Sequence, residues 1–120
     1  FDLIIKNIDE QVLSVYMQRV LTGYSKYFNA KYKKRGHVFR GPFDATFIKN
    51  GGELTEISLS IHQLPREIPE WKKDLNKYPW SSCLDYTLSN RWGSLLATGP
   101  ILKRFSSQNK YLESVMKKPD

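Results

Sequence analysis

The sequence predicts an α+β fold whose first half mixes strands and helices and whose second half is mainly helical. Residues 1–6 and 44–49 are short apolar, β-branched runs of the kind that form strands. The segment between them repeats apolar residues at helical spacing. After residue 50, helical patterns alternate with connectors that contain proline.

The first half is predicted to contain strand, helix, basic loop and strand, in that order. Residues 7–9 form a turn, with Asp9 as the helix N-cap. The helix runs from Glu10 to about Ala30, and its polar face includes Arg19 and Lys26. Its apolar face is formed by Val12, Leu13, Tyr16, Met17, Val20, Leu21, Tyr24 and Phe28.

The second half begins with a predicted turn at Asn50-Gly51-Gly52. A helix follows over residues 53–64 and stops at Pro65. The remaining predicted elements are a short helical segment at 70–76, a helix capped by Ser81 or Ser82, a helix start at 98–100 and a last helix within 107–118.

Two strands cannot form a stable sheet by themselves. We therefore expect either further strands upstream of Phe1 or strands supplied by a second copy of the chain. The sequence also opens without a methionine, which agrees with a fragment of a longer protein.

The composition is that of one globular domain of 120 residues with a net charge of +7. Such a basic chain suits an anionic partner, nucleic acid first and a membrane surface second, although it could also be merely soluble. No apolar run approaches the length of a membrane span, so no membrane partner is expected. The single cysteine, Cys83, cannot form an internal disulfide.

Residue types give little sign of metal or nucleophilic chemistry. His37 and His62 are far apart in sequence, and no HxH or CxxC motif is present. Each histidine is therefore interpreted as a structural, hydrogen-bonded residue, and Cys83 as a core residue. Ser81 and Ser82 suit a helix cap better than a nucleophile.

The most distinctive segment is the basic loop, KYKKRGHVFRGPF, at residues 31–43. Its cations could neutralise several phosphates, and its aromatic side chains could stack on unpaired bases. Alternatively, it is a solvated charge run beside a turn in which Phe39 and Phe43 are buried. Both interpretations hold together if the aromatic side chains point inward and the cations outward.

Several segments together resemble the REP-associated tyrosine transposases, a group of the single-tyrosine HUH transposases. They are MQRVLTGYSKYFNAKYKKRGHVFRGPF, then IHQLP, then YPWSS followed by DY. The family pattern has a helix ending in a Y-x-x-Y-F-N-like segment, a G-H-[LV]-[FW]-Q-G-R-F loop, then Y-I-H-L-N-P and Y-P-W-S-S-Y. The motifs fall in the same order and cover nearly the whole chain.

The resemblance implies a ferredoxin-like α+β domain with an antiparallel sheet. Residues 1–5 match the end of the strand that carries the HUH motif, so the resemblance places two strands and a helix upstream of Phe1. It also implies a partial transposase-like core at residues 1–77 and a helical C-terminal extension of the same domain at 78–120.

The family cleaves and rejoins single-stranded DNA through a tyrosine and a divalent metal, but the matching positions here differ. The second HUH histidine corresponds to Asp2, the tyrosine to Ser60 and the metal-binding asparagine to Leu64. A shift of one residue would bring Gln63 to the ligand position, but residues 53–64 contain no tyrosine. The resemblance thus leaves open whether the chain is an enzyme, and Mg²⁺ or Mn²⁺ is expected only if activity persists.

The first hypothesis is therefore a DNA-binding protein that recognises single-stranded or hairpin DNA without strand transfer. An active transposase seen as a fragment is the alternative, and a protein-interaction remnant is a third. A homodimer is compatible with the resemblance, which also implies a cytoplasmic, nucleoid-associated protein. The predicted DNA-binding residues are Lys31, Lys33, Lys34, Arg35, His37 and Arg40, with Arg19, Lys26 and Lys49 as second choices. The cations are predicted to contact phosphates, whereas His37 or Tyr32 is predicted to contact bases or to orient the loop.

Overall fold

The structure is a computed structural model that describes residues 1–6 and 9–118. Within these residues it consists of helices joined by turns and loops, and it contains no strand. The α-helices are α1 (Glu10–Tyr32), α2 (Gly51–Gln63), α3 (Cys83–Thr87), α4 (Gly99–Leu102) and α5 (Gln108–Met116). Short 3₁₀ helices lie at Leu64–Glu67, Leu75–Lys77 and Gly93–Leu95.

The predicted ferredoxin-like α+β fold is therefore wrong for the part of the chain that the structure describes. Residues 1–6 and 44–49 have no regular secondary structure and are mostly exposed. An extended segment becomes a strand only when a neighbour takes up its backbone hydrogen bonds, and the described chain provides none. β-branched residues fit a half-buried pleated surface, but they do not create that surface.

The chain forms two compact units. Unit 1 is made of Phe1 and Leu3–Phe47, and unit 2 of Asp2 and Ile48–Asp120. In unit 2, the 3₁₀ helix at Leu75–Lys77 packs against α3 and α5. The division after residue 77 that the resemblance implies stays a prediction.

α1 confirms the long helix predicted from Glu10. The predicted turn at residues 7 and 8 lies outside the described residues, but Asp9 is the N-cap, since its carboxylate accepts a hydrogen bond of 2.9 Å from the Val12 N–H. The apolar stripe of α1 is only partly covered. Met17 is buried, whereas Val12, Tyr16 and Tyr24 are exposed.

α2 begins two residues earlier than predicted, because Asn50 caps a helix and does not form a separate turn. The Asn50 side chain accepts a hydrogen bond of 2.9 Å from the Glu53 N–H. The Glu53 carboxylate in turn accepts one of 2.7 Å from the Lys49 N–H. This reciprocal arrangement resembles a capping box and lets Gly51 and Gly52 form the first helical turn.

The other predicted helices of the second half are confirmed, except one. α3 follows Ser82, whose side chain makes no capping hydrogen bond, whereas the Ser81 hydroxyl accepts one of 3.1 Å from the N–H of Cys83, the first residue of α3. α4 has a proline in its first turn, and Ser107 caps α5. The helix predicted at residues 70–76 is wrong, since this segment forms hydrogen-bonded turns and then the 3₁₀ helix at Leu75–Lys77.

The core of unit 2 lies between α2, α3, α4, α5 and the 3₁₀ helix at Leu75–Lys77. Its fully or nearly fully buried apolar residues are Leu75, Cys83, Tyr86, Ile101, Tyr111 and Val115. The predicted core position of Cys83 is confirmed, and burial raises the pKa of its thiol to about 12. This thiol therefore stays protonated at neutral pH and is a poor nucleophile.

A buried polar network crosses this core and is centred on the Tyr111 hydroxyl of α5. That oxygen lies 2.6 Å from the Ser58 hydroxyl and 2.7 Å from His62 Nδ1, both on α2. His62 Nε2 lies 2.8 Å from the Ser82 hydroxyl, at the start of α3. Both ring nitrogens of His62 are therefore hydrogen-bonded, which confirms the predicted structural role of this histidine.

Two further polar contacts hold the helix ends and loops of unit 2. The Arg66 guanidinium donates hydrogen bonds to the backbone carbonyls of Val115, Met116 and Lys117, where α5 leaves its last carbonyls unpaired. The buried Asp85 carboxylate accepts hydrogen bonds from Arg91, with Nε at 2.9 Å and Nη2 at 3.0 Å. Burial raises the pKa of Asp85, but the hydrogen bonds from Arg91 outweigh it and the net shift is downward.

The buried His62 makes the stability of the chain pH-dependent. Burial disfavours the charged imidazolium and lowers the pKa of His62 from 6.5 to about 4. Between these two values the unfolded chain binds more protons than the folded one, so stability falls as the pH decreases through this range. At pH 5 the free energy of unfolding is therefore about 2 kcal/mol lower than at neutral pH. Urea unfolding at pH 7 and pH 5 measures it.

The variant His62→Gln is the control, because its side chain is polar and does not titrate in this range. It should be less stable than the wild type at pH 7, and its unfolding midpoint should change less between the two pH values. Equal changes in both proteins would contradict the assignment of the effect to His62.

Candidate nucleic-acid interface

The main feature of unit 1 is a stretch of positive charge without acidic residues. Between Glu10 and Asp44 the sequence contains no aspartate or glutamate. The cationic residues of this stretch are Arg19, Lys26, Lys31, Lys33, Lys34, Arg35 and Arg40, and all of them are exposed. The salt bridges of the described residues all lie in unit 2. No carboxylate of this stretch therefore competes with an anionic ligand for these cations.

The cationic run at residues 33–35 starts directly at the end of α1. Lys33 adopts a left-handed backbone conformation, with φ 52° and ψ 45°. The N–H groups of Lys33 and Lys34 both donate to the carbonyl of Asn29, which combines the 5→1 bond of an αL cap with the 6→1 bond of a Schellman motif. Glycine is the usual residue at this position, because a Cβ atom costs about 1–2 kcal/mol in the left-handed region. A lysine here retains a charge at a position where glycine would be less strained.

The chain then turns back along α1 and is attached to it by a side chain. Gly36 has φ 90°, which L-residues rarely adopt. The Asn29 side-chain amide donates a hydrogen bond of 3.1 Å to the Gly36 carbonyl. The loop after residue 36 is thereby positioned beside the C-terminal half of α1.

Aromatic contacts hold the same loop from its other side. The Phe39 ring packs against Tyr24 of α1, with centroids 5.9 Å apart, and against Phe1, at 5.6 Å. Phe39 and Phe43 are both half-buried, whereas Arg35 and Arg40 are exposed. The loop therefore combines the two arrangements that the sequence suggests, with aromatic anchors turned inward and cations turned outward.

Three tyrosines of α1 form an exposed aromatic surface next to the cationic run. About half of the surface of Tyr24, Tyr27 and Tyr32 is accessible. The Lys31 ammonium lies 5.6 Å from the Tyr27 ring centroid and 5.4 Å from that of Tyr32. The pKa of Lys31 is raised, first by its hydrogen bond with Tyr27. Exposed rings and cations on one surface are the two groups that single-stranded nucleic acids require.

A groove of about 370 Å³ lies between α1 and the loop. Its floor contains half-buried residues of both, whereas its rim contains exposed ones, among them Lys26 and His37. Its lining residues are Leu21, Thr22, Ser25, Lys26, Asn29, Gly36, His37, Val38, Phe39 and Gly41. All of them belong to unit 1.

Most of the predicted DNA-binding residues therefore lie in one unit. Arg19, Lys26 and Lys31 are on α1, and the residues from Lys33 to Arg40 follow it, but Lys49 belongs to unit 2. Sequence reasoning missed the groove residues Thr22, Ser25 and Asn29 as site residues. The signal was present, since Ser25 and Asn29 share the polar face of α1 with Lys26.

The positions that match the catalytic residues of the transposases do not form a metal site. Ser60 is exposed on α2, and Leu64 follows that helix with an apolar side chain that cannot bind a metal. Asp2 is exposed in a segment without regular structure. Among residues 1–6 and 9–118, no three or more His, Cys, Asp or Glu side chains are grouped as a metal site would require. The residues present therefore do not fit the family's metal.

Comparison of the chain with models of known protein families, with curated proteins and with solved structures gives no match in any of the three. Within the described part of the chain, no helix is both long and apolar enough to cross a membrane.

The left-handed backbone at Lys33 gives a stability prediction. Lys33→Gly removes the unfavourable Cβ contact but increases the entropy of the unfolded chain, so a net gain of up to about 1 kcal/mol is expected. Lys34→Gly is the matched control, because it removes the same charge at a residue whose φ is not positive. Urea unfolding followed by far-UV circular dichroism measures both. A loss of stability in Lys33→Gly as large as that in Lys34→Gly would contradict the prediction.

Proposed function

We propose that the chain binds single-stranded or hairpin DNA and that it is a relative of the REP-associated tyrosine transposases without strand-transfer activity. The observation that carries the proposal is the exposed cationic stretch of unit 1, which contains no acidic residue between Glu10 and Asp44 and has exposed tyrosines beside it. The relationship to the family rests on the sequence motifs alone, since the described residues lack the family's sheet.

The exposed cations support binding to the phosphate backbone. Lys33, Lys34 and Arg35 are consecutive and exposed, and the salt bridges of the described residues involve none of them. Each phosphate that such a residue neutralises releases counterions from the DNA, so affinity decreases as salt increases. These contacts position the DNA but do not read its sequence.

The exposed tyrosines favour unpaired DNA over a regular duplex. A ring can stack only on a base whose face is open, as in single-stranded flanks, bulges and hairpin loops. Tyr27 and Tyr32 have accessible rings within one or two turns of the cationic run. One DNA strand can therefore contact both surfaces, its phosphates on the cations and its bases on the rings.

Loss of strand transfer follows from the residues at the family's catalytic positions. A serine hydroxyl at Ser60 is far less acidic than a phenol and has a shorter reach. Leu64 offers no ligand for the cation that would polarise a scissile phosphate. DNA bound at unit 1 is therefore expected to remain intact in the presence of Mg²⁺ or Mn²⁺.

Dimer formation is a further part of the proposal. α1 exposes Val12, Val15 and Tyr16, and an apolar surface of this kind is what a second copy of the chain would cover. The surface is distant in sequence from the cationic run, so one copy can bind DNA whether or not it is paired.

The proposal predicts salt-dependent binding that depends on unit 1. A fluorescent DNA hairpin with single-stranded flanks should bind, and its affinity should fall steeply between about 50 and 200 mM salt. The triple variant Lys33→Gln/Lys34→Gln/Arg35→Gln should bind this hairpin more weakly than the wild type at low salt. It should also reduce the slope of log K against log salt by about 2, since three phosphate contacts are lost. Fluorescence anisotropy measures both quantities.

The matched control is Lys72→Gln/Lys73→Gln/Lys103→Gln, which removes three exposed cations from unit 2. It changes the net charge equally but should leave the slope nearly unchanged. Equal effects of the two triple variants would show that only overall charge matters. Cleaved or covalently attached DNA on a denaturing gel would instead favour an active transposase.

A further inference from the structure

We infer that the groove between α1 and the loop takes up one unpaired base of the bound DNA. The inference rests on the proposed function, because it names the part of the DNA that this surface receives. It adds a specific contact to a surface that otherwise binds phosphates without regard to sequence.

The groove has the size and the walls that a single base requires. Its volume is about 370 Å³, and its residues come from the two-turn segment Leu21–Asn29 and from residues 36–41. Phe39 provides an aromatic wall that Tyr24 and Phe1 hold in place. Ring stacking binds any of the four bases, since each has an accessible π-face once it is unpaired.

The edge of the base can also be hydrogen-bonded in this groove. Thr22 and Lys26 lie on the exposed rim and provide a hydroxyl and an ammonium group, and His37 lies opposite them on the loop. Lysine donates preferentially to acceptor atoms such as the O6 and N7 of guanine. The groove therefore combines a stacking wall with donors at its edge.

The adjacent cations can hold the phosphates on either side of that base. Arg19 and Lys26 are seven residues apart, so they lie on one face of α1 two turns from each other. Lys33, Lys34 and Arg35 follow at the C-terminal end of the helix. Cationic side chains therefore lie along the α1 side of the groove, whereas residues 36–41 of the loop form its other side.

The groove is fixed before any ligand binds, which reduces the cost of ordering it. The Asn29–Gly36 hydrogen bond and the Phe39 contacts set the distance between loop and helix. Gly41 lines the groove, and a Cβ atom built on it meets nothing within 4 Å apart from its own chain neighbours. Its φ is not positive, so a larger side chain is tolerated there without backbone strain.

The experiment uses the full chain and a labelled DNA hairpin with single-stranded flanks. Each flanking nucleotide is replaced in turn by an abasic residue, which removes the base but retains the phosphate. An abasic residue at one position should reduce the affinity about tenfold, because stacking of a single base contributes about this much to binding. Abasic residues at the other positions should reduce it much less. Losses spread evenly over the flank would overturn the inference.

Two variants link that position to the groove. Gly41→Leu adds a side chain at its rim, so it should bind the intact hairpin about as weakly as the wild type binds the abasic one, with the same salt slope. Gly23→Leu is the matched control, because Gly23 does not line the groove and a Cβ atom added there meets nothing within 4 Å apart from its chain neighbours and the backbone of its own helix. It should retain full affinity and full sensitivity to the abasic position.

The outcomes separate the two proposals. Salt-dependent binding without a sensitive position, or sensitivity that persists in Gly41→Leu, overturns the groove and leaves the phosphate surface intact. Absence of salt-dependent binding to any hairpin overturns the proposed function and the groove together.

Discussion

The arrangement of unit 2 depends on one buried hydroxyl group, that of Tyr111. It joins α5 to α2 through Ser58 and His62, and His62 extends the network to Ser82 before α3. Each of these groups would be costly to bury alone, because an unpaired polar group in a core loses its hydrogen bonds to water. The network therefore fixes which faces of the helices meet, and apolar packing around Tyr111 adds stability to that one arrangement.

Unit 1 follows a different principle, since α1 buries only a small part of its surface. The helix is positioned by its caps, and the loop by the Asn29–Gly36 hydrogen bond and the Phe39 ring. The result is a surface on which charge and aromatic rings remain accessible. The left-handed backbone conformation of Lys33 at the end of α1 shows that local strain is tolerated there. Such a surface suits a large, flexible anion better than a small ligand enclosed in a core.

The helices were largely predictable from the sequence, because caps and spacing act locally. Asp9, Ser107 and the periodicity of α1 indicate their helices without reference to the rest of the chain. The sheet was not predictable, because a strand forms only beside a partner strand, and the residues of one extended segment do not show whether that partner exists. Asn50 was misinterpreted for a related reason, since the same residue types form turns and helix caps. The network around Tyr111 brings together residues that are 20 to 53 positions apart, and no local pattern indicates it.

The cationic residues of the site were also visible in the sequence, whereas the groove beside them was not. Its walls depend on where the loop lies against α1, and that position is set by the Asn29–Gly36 hydrogen bond together with the contacts of the Phe39 ring. Binding of DNA to unit 1 is tested most directly by photocrosslinking the full chain to a bromodeoxyuridine-containing hairpin, followed by mass spectrometry of the crosslinked peptides. We expect crosslinks to peptides that contain Tyr24, Tyr27, Tyr32 or Phe39. Crosslinks confined to unit 2, for example at the exposed Trp80 and Trp92, would contradict the account.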